Sequence, residues 1–376
     1  MPLPRPEIDP DGLLEYSVVF TDRSLNHMSA RFVRVMQDLL DVLRTTYHAQ
    51  TVAVVNGGGS YAMEAVARHL GTGRRCLVVR IGFFSYRWSQ IFDAGSIAAD
   101  VVVCQARPDS GAVDAQWSPP PVDEVVETIR RERPELVCAA HVETAAGLVL
   151  PDDYVRSLAA ATHEVGGVFV LDCIASGALW VDMTDLGVDV LVSAPQKGWS
   201  GTPGAGFVML GEAGRAAVQA GRATSFALDL GAWLRITEGY AAGTPGYHAT
   251  MPTDALAHDA AVMLDTRDRG LDTLRAAQLD LGGRVRGLLA ERGLRSVAAD
   301  PYAAASVVVV HTADPEVKSG ARLKAAGLQV AAGVPLMCGE PEGYSSVRFG
   351  LFGLDKLDDV EGTVSRLAAG LDRAGL

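Results

Sequence analysis

Short, almost entirely apolar runs alternate with helical segments between residues 51 and 210, and this alternation limits the fold more than any other feature. The apolar runs lie at 51–55, 76–81, 101–104, 136–140, 168–172, 190–194 and 206–210, and helices are predicted near 60–70, 84–94, 122–132 and 152–164. Strands that are apolar throughout, rather than at every second residue, are typical of strands buried on both faces. The pattern therefore predicts an α/β fold with a mostly parallel sheet covered by helices on both sides.

The pattern changes after about residue 250. A long helical stretch is predicted first, then two strands separated by another helix, then a terminal helix; the stretch covers 253–292, the strands 306–311 and 346–350, and the last helix 355–369. We therefore expect an N-terminal arm (1–25), a large domain (26–250) and a smaller α+β C-terminal domain (251–376).

Composition and charge disfavour several classes of function. A net charge of -12 argues against a surface for nucleic acids or anionic membranes, because such surfaces need clustered Lys and Arg. The five cysteines include no C-x-x-C pair, which predicts buried thiols in a reducing compartment and neither a disulfide framework nor a metal site. With no apolar run of about 18 residues and no apolar signal-peptide core, the predicted location is cytoplasmic.

The segment 190–210 carries the strongest chemical signal. Its apolar strand runs directly into Gln196 and Lys197, and a loop of small residues leads to the next strand. Burial lowers the pKa of a lysine, so that its neutral amine can attack a carbonyl group. A lysine in a surface turn is the alternative, and this segment alone does not decide between them.

Asp172 ends an earlier apolar strand, 168–172. A carboxylate there points out of the carboxyl edge of the sheet, where ligands of α/β proteins bind. Pyridoxal phosphate needs such an anion, which keeps its pyridine nitrogen protonated and its ring able to accept electrons. The alternative is an Asp that caps a helix or forms a turn.

Three glycines and Ser60 connect the first strand to the next helix (57–60). Backbone N–H groups at a helix N-terminus can bind a phosphate, and glycines let it approach closely. The loop is not a Walker A motif, because no G-K-[ST] follows. An ordinary glycine-rich turn remains the alternative.

In this order, the loop, Asp172 and Lys197 resemble the class V aminotransferase family of pyridoxal-phosphate (PLP) enzymes. The most specific stretch is D-x-x-A-S…GVD-x-L-x-S-x-x-QK-G (172–198), and the likeness is greatest to alanine–glyoxylate, serine–glyoxylate and 2-aminoethylphosphonate–pyruvate transaminases. The resemblance implies the fold type I architecture, with a seven-stranded type of large-domain sheet. It also implies transfer of an amino group from a small amino acid to a 2-oxo acid such as glyoxylate or pyruvate.

The resemblance implies a role for each matching residue. Lys197 would hold PLP as a Schiff base and move the proton between the substrate Cα and the cofactor C4′, and Asp172 would pair with the pyridinium nitrogen. The segment 141–147 matches H-x-E-[TS]-x-x-G, which places Thr144 near the phenolic oxygen of PLP. Further cofactor contacts are implied for Gly58, Gly59, Ser60 and Gln196 at the phosphate and for Phe84 stacked on the ring.

Two other segments match the family. Tyr247 and Thr250 correspond to a segment that reaches the phosphate of the partner subunit, which implies a homodimer with shared active sites. Arg348 corresponds to the arginine that binds the substrate carboxylate, as a planar guanidinium can; a surface arginine is the alternative. Asn26 and His27 lie where the family often determines specificity, in a loop that lacks the usual Gly-Pro pattern.

Other functions are compatible with parts of the pattern. A PLP-dependent lyase, acting by β-elimination or desulfuration, is the alternative on the same fold, and Cys338 is the candidate nucleophile of a desulfurase. An NAD-binding Rossmann protein is disfavoured because Ala62 breaks the G-x-G-x-x-G spacing. A catalytically silent relative is disfavoured because Lys197 and Asp172 are both present.

Overall fold

The computed structural model describes residues 5–10, 12–14, 16–18 and 23–376. The predicted N-terminal arm lies partly outside the described residues. The first helix is α1 (Ala30–Tyr47), whose first turn is capped by the Ser29 side chain. None of the helices in the described ranges is both long and apolar enough to span a membrane.

A seven-stranded sheet forms the centre of the described structure, in the order β1-β11-β10-β9-β6-β2-β3. Its strands are β1 (Thr51–Asn56), β2 (Arg75–Arg80), β3 (Asp100–Gln105), β6 (Leu136–Ala140), β9 (Val168–Asp172), β10 (Val190–Ser193) and β11 (Ala205–Leu210). All neighbouring pairs are parallel except those made by β11, which is antiparallel to both β1 and β10. The predicted α/β fold with a mostly parallel sheet is confirmed.

The central strands are buried on both faces, as their uniform apolar sequences predict. Every residue of β6, β10 and β11 is buried, although successive side chains point to opposite sides of the sheet. The covering helices follow the strands in the chain: α2 (Gly59–Leu70), α3 (Phe83–Ala94), α4 (Val122–Glu132), α5 (Asp152–Glu164), α6 (Met183–Leu186), α7 (Glu212–Ala220) and α8 (Leu230–Ala241). Two short antiparallel pairs, β4 (Arg107–Pro108) with β5 (Trp117–Ser118) and β7 (Val142–Glu143) with β8 (Leu148–Val149), lie outside the central sheet.

The C-terminal part contains a second, antiparallel sheet in the order β12-β14-β13, formed by β12 (Val307–His311), β13 (Ala331–Ala332) and β14 (Ser346–Gly350). Its helices are α9 (Thr253–Asp268), α10 (Leu271–Glu291), α11 (Pro315–Lys318), α12 (Ala321–Ala325), α13 (Leu354–Asp358) and α14 (Val360–Ala374). The stretch predicted as one helix over 253–292 is two, because Gly270 adopts φ +90° between them. The domain boundary near residue 250 stays a prediction.

Close packing under the start of α2 depends on a glycine in β11. A Cβ added at Gly206 would lie 2.5 Å from the carbonyl oxygen of Gly58 and 2.6 Å from the Cβ of Ala62. Contacts this short do not occur between real side chains and backbone, so the helix can approach the sheet only with glycine at this position.

We predict that Gly206→Val lowers the free energy of unfolding by at least about 1–3 kcal/mol, because α2 must move away from the sheet. Gly283→Ala is the control: nothing lies within 4 Å of its Cβ position in α10, and alanine favours a helix interior. Chemical denaturation of both variants measures the difference. Equal stability of Gly206→Val and the wild type would contradict the packing described.

Candidate active site

Most of the predicted cofactor and catalytic residues lie at one edge of the central sheet. Five strands that run in the same direction end there, and each ends in, or is followed by, a segment that contains a predicted site residue. The segments are 57–60 after β1, 82–84 after β2, 141–144 after β6, Asp172 at the end of β9 and 194–198 after β10. The carboxyl ends of parallel strands form the usual ligand crevice of such a sheet.

Lys197 is half-buried in the loop after β10. Its Nζ lies 5.1 Å from the centre of the Phe352 ring. Burial lowers the pKa of its ammonium group, and the positive charge of Arg348 lowers it further, whereas Asp172 acts in the opposite direction. A lysine in this setting loses its proton more readily than a surface lysine, which favours attack on a carbonyl group.

The lysine loop is fixed by contacts on two sides. The Asp259 carboxylate in α9 accepts a 2.6 Å hydrogen bond from the Thr202 backbone N–H, and the Ser200 hydroxyl accepts a 2.9 Å hydrogen bond from the Leu354 N–H. Ser200 is a non-glycine residue with φ +57°, and its own N–H donates to the Lys197 carbonyl. These contacts connect Lys197 to the helices and loop of the C-terminal part.

Asp172 has only 7% of its surface exposed, and one of its carboxylate oxygens accepts a 2.9 Å hydrogen bond from the Ile174 N–H. Burial raises its pKa to about 7, opposed by that hydrogen bond and by the charges of Arg87 and Lys197. A carboxylate with a raised pKa gains most from a neighbouring cation, because the cation stabilises its charged form. A protonated ring nitrogen would be such a cation.

The N-terminus of α2 has the form of an anion site. Gly58 is its N-cap residue with φ +121°, no side chain caps the first turn, and the space at the Cβ position of Gly58 is open for 4 Å. A Cβ at Gly59, by contrast, would lie 2.5 Å from Ile174, next to Asp172. Uncapped N–H groups at a helix start attract phosphate.

Phe84 lies between two arginines at the start of α3. The guanidinium carbon of Arg87 is 5.2 Å from the centre of the Phe84 ring, and that of Arg348 is 5.4 Å from it. The helix start is held by the fully buried Glu143, whose carboxylate accepts hydrogen bonds from the N–H groups of Phe84 (3.2 Å) and Ser85 (2.8 Å). The aromatic side chain predicted to stack on the cofactor therefore has a fixed backbone.

The segment after β6 contributes buried polar groups. Thr144 is buried, and its neighbour Ala145 donates its N–H to Glu143 at 2.9 Å. The Nδ1 atom of His141 lies 2.7 Å from the Ser176 hydroxyl, and burial lowers the pKa of His141 to about 4. His141 is therefore neutral near pH 7, which suits a hydrogen-bonding role better than proton transfer.

Arg348 projects from β14 and is half-buried. Its Nε donates a 2.9 Å hydrogen bond to the Ala332 carbonyl on the neighbouring strand, which fixes the direction of the side chain. Its approach to Phe84 places the guanidinium beside the predicted cofactor ring. The arginine thus lies where a substrate carboxylate could be bound.

The remaining predicted residues lie at other contacts. His27 is buried and its ring centre is 5.5 Å from that of Tyr247, whereas Asn26 accepts the Met28 N–H in a local turn. Tyr247 is 55% exposed, with its hydroxyl 3.3 Å from that of Thr250. Gln196 is exposed beside Lys197. The roles of these residues stay predictions.

Cys338, the candidate nucleophile of the lyase alternative, is buried with 7% of its surface exposed. Its thiol lies 3.5 Å from the carbonyl oxygens of Arg80 and Leu336, to which it can donate. Burial raises its pKa to about 12, so the thiolate is strongly disfavoured at neutral pH.

Sequence reasoning did not identify Arg87 or Asp259 as part of the site. Arg87 follows Phe84 by three residues, which places both on one face of α3, and this spacing was an available signal. Asp259 lies about 60 residues beyond the loop that it supports, in a helix without a marked apolar face, so the chain offered no comparable signal.

The residues present fit pyridoxal phosphate. An uncapped helix start with open space suits its phosphate, the buried carboxylate of Asp172 suits a protonated pyridine nitrogen, and the half-buried amine of Lys197 suits its aldehyde. The helix start would bind an anion, Asp172 a cation and Lys197 an aldehyde, and these are the three functional groups of pyridoxal phosphate.

Comparisons with solved structures identify the fold. The fold resembles alanine–glyoxylate aminotransferase from Nostoc sp. (TM-score 0.78, 21% identity, 94% of this chain and 89% of that one). It also resembles ureidoglycine–glyoxylate aminotransferase from Bacillus subtilis (TM-score 0.77, 19% identity, 94% and 88%). The architecture is therefore that of the fold type I PLP-dependent transferases.

The family follows from the sequence itself. The model of the family described as Aminotransferase class-V matches residues 13–312, and the chain belongs to that family. A 2-aminoethylphosphonate–pyruvate transaminase from Salmonella agona (strain SL483) is 33% identical over 210 residues, 55% of this chain and 53% of the relative. The chain thus spans about half the length of the curated relatives it matches. Membership of the family implies pyridoxal phosphate as the cofactor.

We predict that Asp172→Asn stabilises the cofactor-free protein at pH 8 by on the order of a few kcal/mol. The folded state raises the pKa of Asp172 from 3.8 to about 7, so its stability falls as the pH rises through this interval and the carboxylate becomes charged. The neutral amide keeps the acceptor for the Ile174 N–H and avoids that cost.

Thermal unfolding of both proteins at pH 5 and pH 8 measures this difference, which should be much smaller at pH 5. A wild-type protein as stable as Asp172→Asn at pH 8 would mean that the carboxylate is not desolvated.

Proposed function

We propose that this protein is a PLP-dependent aminotransferase that moves an amino group from a small amino acid to a 2-oxo acid such as glyoxylate or pyruvate. The observation that carries the proposal is the meeting of Lys197, Asp172 and the start of α2 at one sheet edge, in a chain of the class V aminotransferase family. The names of the similar proteins, which include pyruvate and glyoxylate transaminases, support the acceptor class.

Each residue would have a separate task at the cofactor. Gly58, Gly59 and Ser60 would hold the phosphate with N–H and hydroxyl groups, Asp172 the ring nitrogen and Lys197 the aldehyde carbon. Phe84 would cover the ring, Thr144 would contact the phenolic oxygen, and Gln196 would join the phosphate. When bound, PLP supplies an electron-accepting ring that stabilises negative charge at the substrate Cα.

Lys197 would also move the proton of the reaction. Its lowered pKa makes the neutral amine available to take a proton from the substrate Cα. The Asp172 carboxylate, kept charged by the cation it pairs with, would hold the ring nitrogen protonated during that step. Arg348 would bind the substrate carboxylate through its two terminal nitrogens, since its Nε is already used by Ala332.

The lyase alternative receives less support. Desulfuration needs an accessible thiolate, and Cys338 is buried with a strongly raised pKa. β-Elimination needs no such thiol. Its products differ from those of transamination, so the experiment below distinguishes the two reactions.

We expect the purified protein to show a visible band of bound PLP that bleaches when a suitable amino acid is added and returns with glyoxylate or pyruvate. Lys197→Ala should lose both the band and the turnover, because no amine remains to bind the aldehyde or take the proton. Lys356→Ala is the matched control, since that lysine forms an ion pair with Asp355 and is not a predicted site residue.

Absorbance spectra recorded during a titration with a panel of amino acids test this prediction. A band that persists while ammonia, sulfide or carbon dioxide is released would favour the lyase. A wild type that forms no band with added PLP would refute the proposed function.

A homodimer with shared active sites belongs to the same proposal. Tyr247 is exposed in the single chain, as are the apolar side chains of Tyr61 and Phe226, and these would be covered by a partner. The Thr250 carbonyl accepts a 2.6 Å hydrogen bond from Asn56, which keeps the segment next to the end of β1 and the phosphate loop. In such a dimer, Tyr247 and Thr250 would reach the phosphate of the partner subunit, as the family resemblance implies.

We predict that Lys197→Ala and the double variant Tyr247→Ala, Thr250→Ala complement each other when mixed after dissociation. Each is nearly inactive alone, but a mixed dimer has one site free of both defects, so about one quarter of wild-type activity should return. Light scattering of the wild type and activity of the mixture are the measurements. An active monomer, or a mixture without recovery, would argue against shared sites.

A further inference from the structure

Arg87 is a cation without an anionic partner at the candidate phosphate site. Its Nη1 donates a 2.9 Å hydrogen bond to the Ser60 hydroxyl, and its guanidinium lies against the Phe84 ring. Among the described residues no carboxylate comes within ion-pair distance of it. By contrast, Arg68, in the helix that begins at the phosphate loop, forms an ion pair with Glu64 at 2.7 Å.

The surroundings of Arg87 on the side of Ser60 are positively polarised. Ser60 belongs to the first turn of α2, where uncapped N–H groups give the helix start a partial positive charge. A guanidinium held beside that helix end adds a full positive charge to it. Two like-signed groups that converge on open space are stabilised by a dianion placed between them.

The space for such an anion is present beside Gly58. No atom lies within 4 Å of the position of a Cβ at this residue, although the Cβ positions of Gly57 and Gly59 are closely surrounded. Ser60 therefore lies between the open side of the loop at Gly58 and the guanidinium of Arg87, to which it is hydrogen-bonded.

We propose that Arg87 is a ligand of the cofactor phosphate and that its charge makes the site prefer a phosphorylated cofactor over an unphosphorylated one. This inference rests on the proposed function, because it assumes that PLP binds at Ser60. A guanidinium suits the task because it can donate two parallel hydrogen bonds to two phosphate oxygens. Its hydrogen bond to Ser60 would be exchanged for bonds to the phosphate.

A substrate-binding role for Arg87 has less support, because Arg348 is already placed for that role. The two guanidinium groups approach the same Phe84 ring but are anchored in different places, Arg348 on the Ala332 carbonyl and Arg87 on the Ser60 hydroxyl. Arg348 is thus anchored on the C-terminal sheet, whereas Arg87, in α3, is anchored on the phosphate loop. The arrangement provides one arginine for a substrate carboxylate and a separate one for the phosphate.

The test compares pyridoxal phosphate with pyridoxal, which lacks the phosphate. Holoenzyme is freed of cofactor, and the affinity for each compound is measured by absorbance in the wild type, Arg87→Gln and Arg87→Lys. Arg130→Gln is the matched control, because Arg130 pairs with Glu164 on the surface between α4 and α5. All variants are first compared by circular dichroism and thermal unfolding.

We expect Arg87→Gln to weaken binding of pyridoxal phosphate by about 10- to 100-fold, the range for loss of a charged hydrogen-bond donor. Its affinity for pyridoxal should change less than about 3-fold, and Arg87→Lys should lie between the wild type and the glutamine variant for pyridoxal phosphate. The control variant should bind both compounds like the wild type.

Two results would overturn the inference. An equal loss of affinity for both compounds would mean that Arg87 only supports Phe84 and the start of α3. Unchanged affinity for both, with a raised KM for the amino donor, would mean that Arg87 binds substrate instead.

Inorganic phosphate separates failure of this inference from failure of the proposed function. Phosphate should raise the Tm of the cofactor-free wild type but not that of Arg87→Gln, with sulfate-free buffer and matched ionic strength. A phosphate effect that depends on Arg87, in a protein that forms no band with pyridoxal phosphate, would refute the aminotransferase and retain the phosphate site. A pyridoxal-phosphate band that is the same in the wild type and in Arg87→Gln would retain the aminotransferase and refute the role of Arg87.

Discussion

The site depends on the buried carboxylate of Glu143. Its two oxygens accept four hydrogen bonds, from the N–H and hydroxyl of Ser85 and from the N–H groups of Phe84 and Ala145. Burial raises the pKa of Glu143, and these hydrogen bonds oppose that effect because they stabilise the charged form. They also connect the start of α3 to the loop that carries Thr144. The Cβ position of Gly82 is only 2.5 Å from Glu143, so a larger residue could not allow this approach. The orientation of α3, and with it the positions of Phe84 and Arg87, therefore follows from one satisfied anion.

The two buried carboxylates of the site are outnumbered by the positive groups around them. Asp172 is a second buried carboxylate near Glu143, and the two raise each other's cost of ionisation, as the contribution of Glu143 to the raised pKa of Asp172 indicates. Lys197, Arg87 and Arg348 surround them with three cations, and the positive end of α2 adds a fourth source of positive potential. Such a set is balanced when a molecule brings a dianion to the cationic side and a cation to Asp172. The phosphate and the protonated pyridine of pyridoxal phosphate combine both charges in one ligand, so this cofactor would complement both ends of the site.

Much of the fold follows from local sequence patterns. The strands and the helices that cover them were predictable because burial on both faces imposes an apolar run, and the strand–helix alternation then fixes their parallel direction. The antiparallel direction of β11 could not be predicted in the same way, because an apolar run does not indicate whether the strand is parallel or antiparallel to its neighbours. Likewise, Gly270 divides a helix that the pattern predicts as continuous, since a single glycine is compatible with a helix interior as well as a break.

The site was predictable only where its residues follow strand ends. Lys197 and Asp172 lie at such ends, and a family motif joins them. The lysine loop is held by hydrogen bonds from the Thr202 N–H to the Asp259 carboxylate and from the Leu354 N–H to the Ser200 hydroxyl. These bonds join distant parts of the chain, for which the sequence contains no short-range signal. Under the proposed function, Lys197 would release the aldehyde carbon of the cofactor and then take a proton from the substrate Cα. The loop is tied to α9 on one side and to the start of α13 on the other. The C-terminal part of the chain would therefore fix the position of the amine during both steps, although the lysine itself precedes that part.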